Sequence, residues 1–384
     1  MLVSMVGTWM QSTAQAWLVL TLSPSPVVLG IVNSLNFLPS LFLALFAGVL
    51  IDRLPKRSVL TVTQSLLALQ AVILWFLVWK KWVTLREVYA LTLFLGTVNA
   101  FDQPARQAFV TEMVSEEGVT NAIGMNSLLF NVARTIGPMV AGIAIAAAGL
   151  APSFFLNAAS FLFVVGGFFF MRPHELRTSP VPPHVSFTED LREGYEFVIR
   201  TPLVLALVIS LFFAGLFGYN FSTTIPLLAK FVVHGGPRTF GVFSSAMGAG
   251  SMVGALAVAG RPRPTKKILY ASSILFSLSE VAIIVSRNYF WVTGLLAAMG
   301  LFGIVYLVST NAMLQLASPP HIRTRVISLY VLLLVGITPI GALITGFLAD
   351  RFGVVWTLCA EGLLSLAGVV LSLAYGVSAG LFVH

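Results

Sequence analysis

Apolar segments long enough to cross a lipid bilayer occupy almost the whole chain. A transmembrane helix needs about 20 apolar residues, and twelve such segments, divided by charges and Pro/Gly turns, lie in the 384 residues. Only 9% of the residues are charged, whereas soluble domains carry about 25%. We therefore predict an all-α membrane protein with twelve transmembrane helices. The predicted spans are 1–22, 27–51, 58–79, 87–110, 119–148, 153–171, 203–229, 238–260, 267–286, 290–316, 326–348 and 354–376.

One polar stretch separates the spans into two sets of six. It begins with prolines and continues with a predicted amphipathic helix, although a solvated linker with a chance apolar stripe is the alternative. Glycines repeat between the two sets at an offset of about 204 residues, as in Gly96 and Gly300, which fits a duplicated six-helix unit. The predicted domains are an N-terminal bundle at 1–171, a cytoplasmic linker at 172–202 and a C-terminal bundle at 203–384.

The distribution of lysine and arginine predicts the orientation. One set of loops carries fourteen of the 22 basic residues and the other set carries seven, and cytoplasmic loops are the richer in Lys and Arg. Both chain termini are therefore predicted to be cytoplasmic. Residues 1–22 lack the basic start of a signal peptide, so we interpret them as a retained first span. Whether the natural chain begins earlier stays open.

Composition and motifs exclude several classes of protein. The single cysteine, Cys359, excludes an intramolecular disulfide framework and a CxxC metal site. The chain contains neither a GxxxxGK[ST] phosphate loop nor an HExxH motif. The net charge of +8 resides in short loops, which favours lipid headgroups over nucleic acid as partners. We predict no enzyme activity, no cofactor and no metal.

Arg134 is the most unusual residue within a predicted span. Its nearest charged neighbours in the sequence are Glu117 and Arg172, and a charge at the centre of a bilayer costs about 2.5 kcal/mol or more. Such a residue is tolerated mainly where it faces a wet cavity or a partner. Gly137-Pro138 follows within one turn and loosens the helix. The pattern indicates that a polar species passes through the membrane at this site.

The turn between the second and third spans carries a recognisable motif, Gly48-Val-Leu-Ile-Asp52-Arg53-Leu-Pro55-Lys56-Arg57. It resembles the G-x-x-x-D-R-x-G-[RK]-[RK] signature of the major facilitator superfamily, with Pro55 in place of a glycine. The resemblance implies a twelve-helix transporter, and a latch that closes the cytoplasmic side together with an acid at the end of the fourth helix. Ordinary positive-inside charges would explain the bases but not the acid. The predicted gate consists of Gly48, Asp52, Arg53, Lys56, Arg57 and Glu112.

Further motifs resemble those of export proteins in that superfamily. The segment Arg134-Thr-Ile-Gly137-Pro138-Met-Val-Ala-Gly142 resembles the fifth-helix motif of drug/proton antiporters, with Ala133 and Ala141 in place of two glycines. Close helix packing alone is the alternative explanation. The first span and the stretch Asp102-Gln-Pro-Ala-Arg106 resemble the branch of enterobactin exporters and macrolide efflux proteins.

Candidate binding and coupling residues follow from these patterns. Asp102 and Arg106 lie one turn apart within a span and are the predicted proton-coupling pair, although a purely structural ion pair fits them almost as well. In the superfamily, helices 1, 4, 7 and 10 line the cavity. With helix 5, they supply the predicted substrate-binding residues Arg134, Gln11, Gln15, Asn99, Asn126, Tyr219, Asn220, Tyr306 and Asn311.

The predicted function is secondary transport. We expect a proton-coupled exporter of an amphipathic drug-like or siderophore-like molecule, with protons, that substrate and membrane lipids as its partners, and a monomeric state. An importer or uniporter of a small polar metabolite is the alternative, because the fold does not fix direction. A lipid-moving protein, an intramembrane enzyme and a sensor are weaker alternatives, and the spans offer no nucleophile–base pair for an enzyme.

Overall fold

The computed structural model describes residues 2–171, 187–259 and 264–381. The side chains at positions 44, 45, 48, 49, 52, 116, 120, 187–191, 320, 321 and 324 lie outside that description. The described residues are almost entirely helical and contain no strand. The predicted all-α class is confirmed. The chain divides into two compact units, which are Met1–Pro182 with Gly235–Ser245, and Pro183–His234 with Ala246–His384.

Six long helices build the first unit. They are α1 (Leu2–Leu22), α2 (Pro26–Arg53), α3 (Lys56–Trp79), α4 (Leu85–Glu112), α5 (Val119–Ala148) and α6 (Ala151–Phe170). Helix α2 packs along α4, α3 packs against α4 and α6, and α1 packs against α5 and α6. The α2–α4 contact is close because Gly96 has no room for a Cβ against the carbonyl oxygen of Asn36. Small residues permit this approach between membrane helices.

In the described part of the chain, nine helices follow the first six. They are α7 (Phe187–Arg200), α8 (Pro202–Phe213), α9 (Phe221–Leu227), α10 (Pro237–Ala259), α11 (Lys266–Val281), α12 (Tyr289–Ala317), α13 (Pro320–Val331), α14 (Thr338–Phe352) and α15 (Val354–Ser378). The first residues of α10 group with the first unit. The linker helix α7 packs on α8 and α13 with Val198 buried, so it belongs to the second unit. The proline-rich start of the linker lies outside the described residues.

Two predicted spans are interrupted. Span 203–229 consists of α8, a π-helical turn at Ala214–Gly218, a break at Tyr219 and Asn220, and α9. Span 326–348 consists of α13, a π-helical turn at Leu332–Gly336, and α14. The two π-helical turns contact each other, because Gly215 in the first turn has no room for a Cβ against the carbonyl oxygen of Leu333 in the second. Pro339 cannot donate a helical hydrogen bond, so it separates α14 from the preceding turn.

Ten of the twelve predicted spans satisfy length and hydropathy criteria for membrane crossing in the described part of the chain. The other two coincide with α1 and α4, which are 21 and 28 residues long. The chain is a multi-pass membrane protein.

Candidate substrate and gating sites

The turn between α2 and α3 joins the ends of two further helices. Lys56 Nζ lies 3.4 Å from Oε1 of Glu112, the last residue of α4, and both side chains are buried. The Arg57 guanidinium donates through Nε to the Phe168 carbonyl at 2.8 Å, near the end of α6. That carbonyl is one of the four that a helix end leaves without an intrahelical donor. The two bases of the motif therefore connect this turn to α4 and α6.

The remaining gate residues belong to α2. Arg53 is the exposed last residue of the helix. Gly48 and Asp52 lie in the same helix, and their surroundings fall outside the described part of the structure. The latch role of the motif stays a prediction.

Asp102 is enclosed by hydrogen-bond donors within the first unit. Its side chain is 1% exposed, and Oδ1 accepts from Thr63 Oγ1 and Gln64 Nε2 at 2.7 Å each. Oδ2 pairs with Arg106 Nη2 at 2.5 Å. Three donors, one of them cationic, therefore surround this carboxyl group. The predicted Asp102–Arg106 contact is present, while its role in proton coupling stays a prediction.

Gln11 and Gln15 form hydrogen bonds between helices. Gln11 Nε2 donates to Gln70 Oε1 at 2.9 Å, and Gln11 Oε1 accepts from Asn157 Nδ2 at 2.8 Å. Gln15 Nε2 donates to Thr92 Oγ1 at 2.8 Å. All these side chains are buried. Helices α1, α3, α4 and α6 are thus joined by polar contacts, which are worth about 0.6 kcal/mol each on average in membrane proteins.

Helix α5 carries Arg134 between two packing contacts. Arg134 is half-buried, and one turn earlier Phe130 contacts the Trp9 ring edge-on at 5.9 Å. One turn later, a Cβ at Gly137 would lie 2.5 Å from the Trp9 Cβ. Asn126, two turns before Arg134, has a buried Oδ1 that accepts no hydrogen bond from the described residues. Arg134 and Asn126 remain predicted substrate contacts.

The fifth-helix motif also packs against the start of α10 within the first unit. A Cβ at Gly142 would lie 2.8 Å from the Pro237 carbonyl oxygen and 3.1 Å from the Gly241 Cα. A Cβ at Gly241 would lie 2.6 Å from the Pro138 carbonyl oxygen. Ser245 Oγ donates to the Thr135 carbonyl of α5 at 2.7 Å. Helix α5 is therefore closely packed on two sides. Gly137 packs against Trp9 of α1, and Pro138 and Gly142 pack against the start of α10.

Of the predicted binding residues of the second unit, Tyr219 and Asn220 lie in the break after α8, and Tyr306 lies on α12. The Tyr219 hydroxyl donates to the Gly303 carbonyl at 2.8 Å, and the ring stacks on Phe276. Asn220 is buried, and its Oδ1 accepts no hydrogen bond from the described residues. Tyr306 is fully buried and shares a hydrogen bond of 2.9 Å with Ser210. In the first unit, Asn99 is half-buried on α4.

A cavity of about 670 Å³ lies among α10, α11, α12 and α13 in the second unit. Its polar wall consists of Ser309, Asn311, Gln315, Arg323 and Tyr330, and the rest of its lining is apolar. Asn311 Oδ1 accepts from Gln315 Nε2 at 2.5 Å, and Arg323 Nε donates to the Gln315 carbonyl at 3.1 Å. Ligand pockets of about 300–1,000 Å³ share this mixture of apolar walls and a few polar groups.

Sequence reasoning found Asn311 but missed its neighbours. Gln315 lies four residues later on the same helix and therefore on the same face, a spacing that would have revealed it. In the sequence, Arg323 was counted only among the basic residues of the loops that predict the orientation. Gln70 and Asn157, the partners of Gln11, carried a weaker signal, since polar residues in the third and sixth spans have no obvious partner until the helices are packed.

The two helical units, the motif turn and the cavity with a polar wall agree with a membrane transporter, and the chain belongs to the major facilitator superfamily. The sequence matches the transmembrane secretion effector family over residues 1–380, and the chain belongs to that family. It is 26% identical over 374 residues to the staphyloferrin A transporter of Staphylococcus aureus, covering 93% of this chain and 90% of that protein. It is 27% identical over 378 residues to the multidrug efflux pump Tap of Mycolicibacterium fortuitum, covering 95% and 91%.

Solved structures share the fold. The nucleoside transporter NupG superposes with a TM-score of 0.72 at 13% identity, covering 97% of this chain and 98% of its own. The inward-facing, occupied structure of a bacterial homolog to the human lysosomal transporter Spinster gives a TM-score of 0.73 at 12% identity, covering 98% and 95%. The relatives are transporters and not enzymes, and the chain is a transporter with a small-molecule substrate.

Proposed function

We propose that the chain is a proton-coupled exporter that moves an amphipathic small molecule across the cytoplasmic membrane by alternating access. The observation that carries this proposal is the cavity in the second unit, where Asn311, Gln315 and Arg323 provide a polar end to an otherwise apolar pocket. An apolar pocket with few polar groups suits a ligand with one polar end. The names of two relatives, a siderophore transporter and a multidrug efflux pump, support the same substrate class.

Substrate contacts in the first unit are proposed to centre on Arg134. A guanidinium far from other charges in the sequence suits an anionic or strongly polar group of the ligand. The break at Tyr219 and Asn220 supports a further contact, because interrupted helices expose backbone and side-chain polar groups at transporter binding sites. Gln11, Gln15, Asn99, Asn126 and Tyr306 complete the proposed set.

Proton coupling is proposed to act through Asp102 and Arg106. A buried carboxylate beside a cation loses its proton when the pair is closed and takes one up when the pair opens. The contact of 2.5 Å supports this role. The Lys56–Glu112 pair, with Asp52, Arg53 and Arg57, is proposed to hold the cytoplasmic gate. We further propose that all twelve spans cross the membrane, that both termini are cytoplasmic, and that the protein acts as a monomer.

An importer or uniporter of a small polar metabolite is the second candidate. The polar wall of the cavity would serve such a substrate equally well, and the fold does not fix the direction of transport.

Retention of substrate by living cells tests the proposal. The chain is expressed in a bacterial strain that lacks its own efflux pumps, and the cells are loaded with ethidium or with staphyloferrin A. An exporter lowers the retained amount of at least one of the two, and addition of a protonophore restores it. Equal retention with and without the chain, for both compounds, would contradict export of this substrate class.

A further inference from the structure

Two acidic side chains lie together in the interior of the second unit. Glu280 on α11 and Glu361 on α15 are 1% and 0% exposed. The two helices touch at this level, because a Cβ at Gly362 would lie 3.0 Å from the Ser277 carbonyl oxygen and 2.8 Å from Val281 Cγ2. Glu361 and Glu280 are the immediate neighbours of Gly362 and Val281 in the sequence. Both glutamates therefore lie where α11 and α15 pack against each other.

The hydrogen bonds around this acidic pair are incomplete. Thr345 Oγ1 on α14 donates to Glu361 Oε1 at 2.5 Å. Oε2 of Glu280 and Oε2 of Glu361 are both buried and accept no hydrogen bond from any residue that the structure describes. A buried carboxyl oxygen without a donor costs free energy unless a proton or a cation binds there. The two oxygens without a donor therefore indicate that a proton or a cation binds beside them.

Among the described residues, no lysine, arginine or histidine forms an ion pair with Glu280 or Glu361. Helix α12, packed against α11, carries tyrosines as its only titratable groups. Next to α15, Tyr219 in the break after α8 donates its hydroxyl to a backbone carbonyl, Tyr270 of α11 shares a hydrogen bond with Ser372 of α15, and Lys230 lies in a π-helical turn. The charged residues of α14 are Asp350 and Arg351, at least five residues beyond Thr345. The basic residues of α11 are Lys266 and Lys267, at its opposite end from Glu280.

A buried negative charge without a cation is costly, so two enclosed carboxylates are unfavourable together as anions. A single proton removes one of the two charges. We propose that Glu280 and Glu361 form a proton-binding site, in which one of the two carboxyl groups holds an exchangeable proton. On uptake, one O–H bond forms on a carboxyl oxygen with a proton from water, and on release that bond breaks and the proton returns to water.

This site differs chemically from Asp102. Asp102 receives three donors, one of them the Arg106 guanidinium, whereas the only donor to the acidic pair among the described residues is the Thr345 hydroxyl. A role of the acidic pair in driving export rests on the proposed function, but proton binding itself does not.

Infrared difference spectroscopy of the purified full-length protein tests the proposal without substrate or transport. We expect a carboxylic acid C=O band that is still present at about pH 7, where ordinary glutamates with pKa values near 4.3 are ionised. Glu280→Gln and Glu361→Gln should each change the band, the double variant should remove it, and Glu117→Gln, at an exposed position, should leave it. Uniform ¹³C-labelling of glutamate in the unaltered chain should shift the band, which provides a test even if a variant does not fold.

Three results would overturn the proposal. They are the absence of the band at neutral pH, its persistence in the double glutamine variant, and its loss when sodium ions are added at constant pH, which would assign the pair to a metal cation. Because the measurement involves no substrate, a protein that shows the band but exports nothing would refute the proposed function alone. A protein that exports but lacks the band would refute the proton site alone.

Discussion

Lys56 Nζ and Glu112 Oε1 lie 3.4 Å apart, and their side chains are only 10% and 8% exposed. The pair joins the start of α3 to the last residue of α4. A buried ion pair contributes little over a well-packed apolar pair, but removal of one partner leaves an uncompensated charge. Loss of either residue should therefore leave the other as a buried charge without its partner.

Glu112→Gln should destabilise the protein. Loss of one partner of a buried pair costs about 3–5 kcal/mol, so we expect a clear fall in the unfolding temperature of the purified protein. Glu196→Gln is the matched control, because its partner Arg192 is 80% exposed and exposed pairs contribute little. Equal unfolding temperatures of Glu112→Gln and the unaltered chain would show that the buried ion pair does not stabilise the protein.

Asp102→Asn should abolish proton-driven export while substrate binding is retained. The amide keeps the size of the carboxyl group but cannot exchange a proton, and it leaves Arg106 without its ion-pair partner. Transport in vesicles and binding to the purified protein are measured side by side. Thr63→Val removes one donor to the same carboxylate without removing the acid and serves as the control. Unchanged export by Asp102→Asn would exclude the aspartate from coupling.

Arg134→Leu should prevent transport of a ligand with an anionic or polar end. Removal of the charge lowers the cost of inserting α5 into the membrane, since an arginine at mid-depth costs about 2.5 kcal/mol or more. The amount of folded protein in the membrane should therefore not fall. Expression is measured by gel filtration and transport by efflux from loaded cells. Full transport activity in the leucine variant would remove Arg134 from the binding site.

Gly142→Val should destabilise the contact between α5 and α10. The added side chain would meet the Pro237 carbonyl oxygen, which lies 2.8 Å from the position of a Cβ. Overpacking of this kind costs about 1–3 kcal/mol. Gly124→Ala on the same helix is the control, because nothing lies within 4 Å of its Cβ position. If the valine variant and the control unfold at the same temperature, the close contact between α5 and α10 does not contribute to stability.

Much of the fold is predictable because the length of an apolar segment fixes a transmembrane helix. The fifth span was predicted at 119–148 and is observed at Val119–Ala148. The breaks at Tyr219 and before Thr338 were not predicted. Hydropathy does not distinguish a π-helical turn from an α-helical one. The contact of Gly215 with the Leu333 carbonyl, which accompanies the first break, joins residues far apart in the sequence.

The candidate sites were less predictable because side-chain direction depends on packing. Asp102 and Arg106 were paired correctly, since residues four apart share a helix face. The partners of Gln11 lie 59 and 146 residues away, and no local pattern indicates them. The acidic pair Glu280–Glu361 joins residues of different helices, so only the packing of α11 on α15 reveals it.

Accumulation of ethidium or staphyloferrin A in inside-out membrane vesicles tests proton-coupled export most directly. In these vesicles the lumen corresponds to the cell exterior. We predict that an acidic lumen drives uptake of at least one of the two compounds, and that nigericin, which collapses the pH gradient, abolishes the uptake. Equal flux with and without the gradient, or movement of both compounds only out of the lumen, would contradict export by proton exchange.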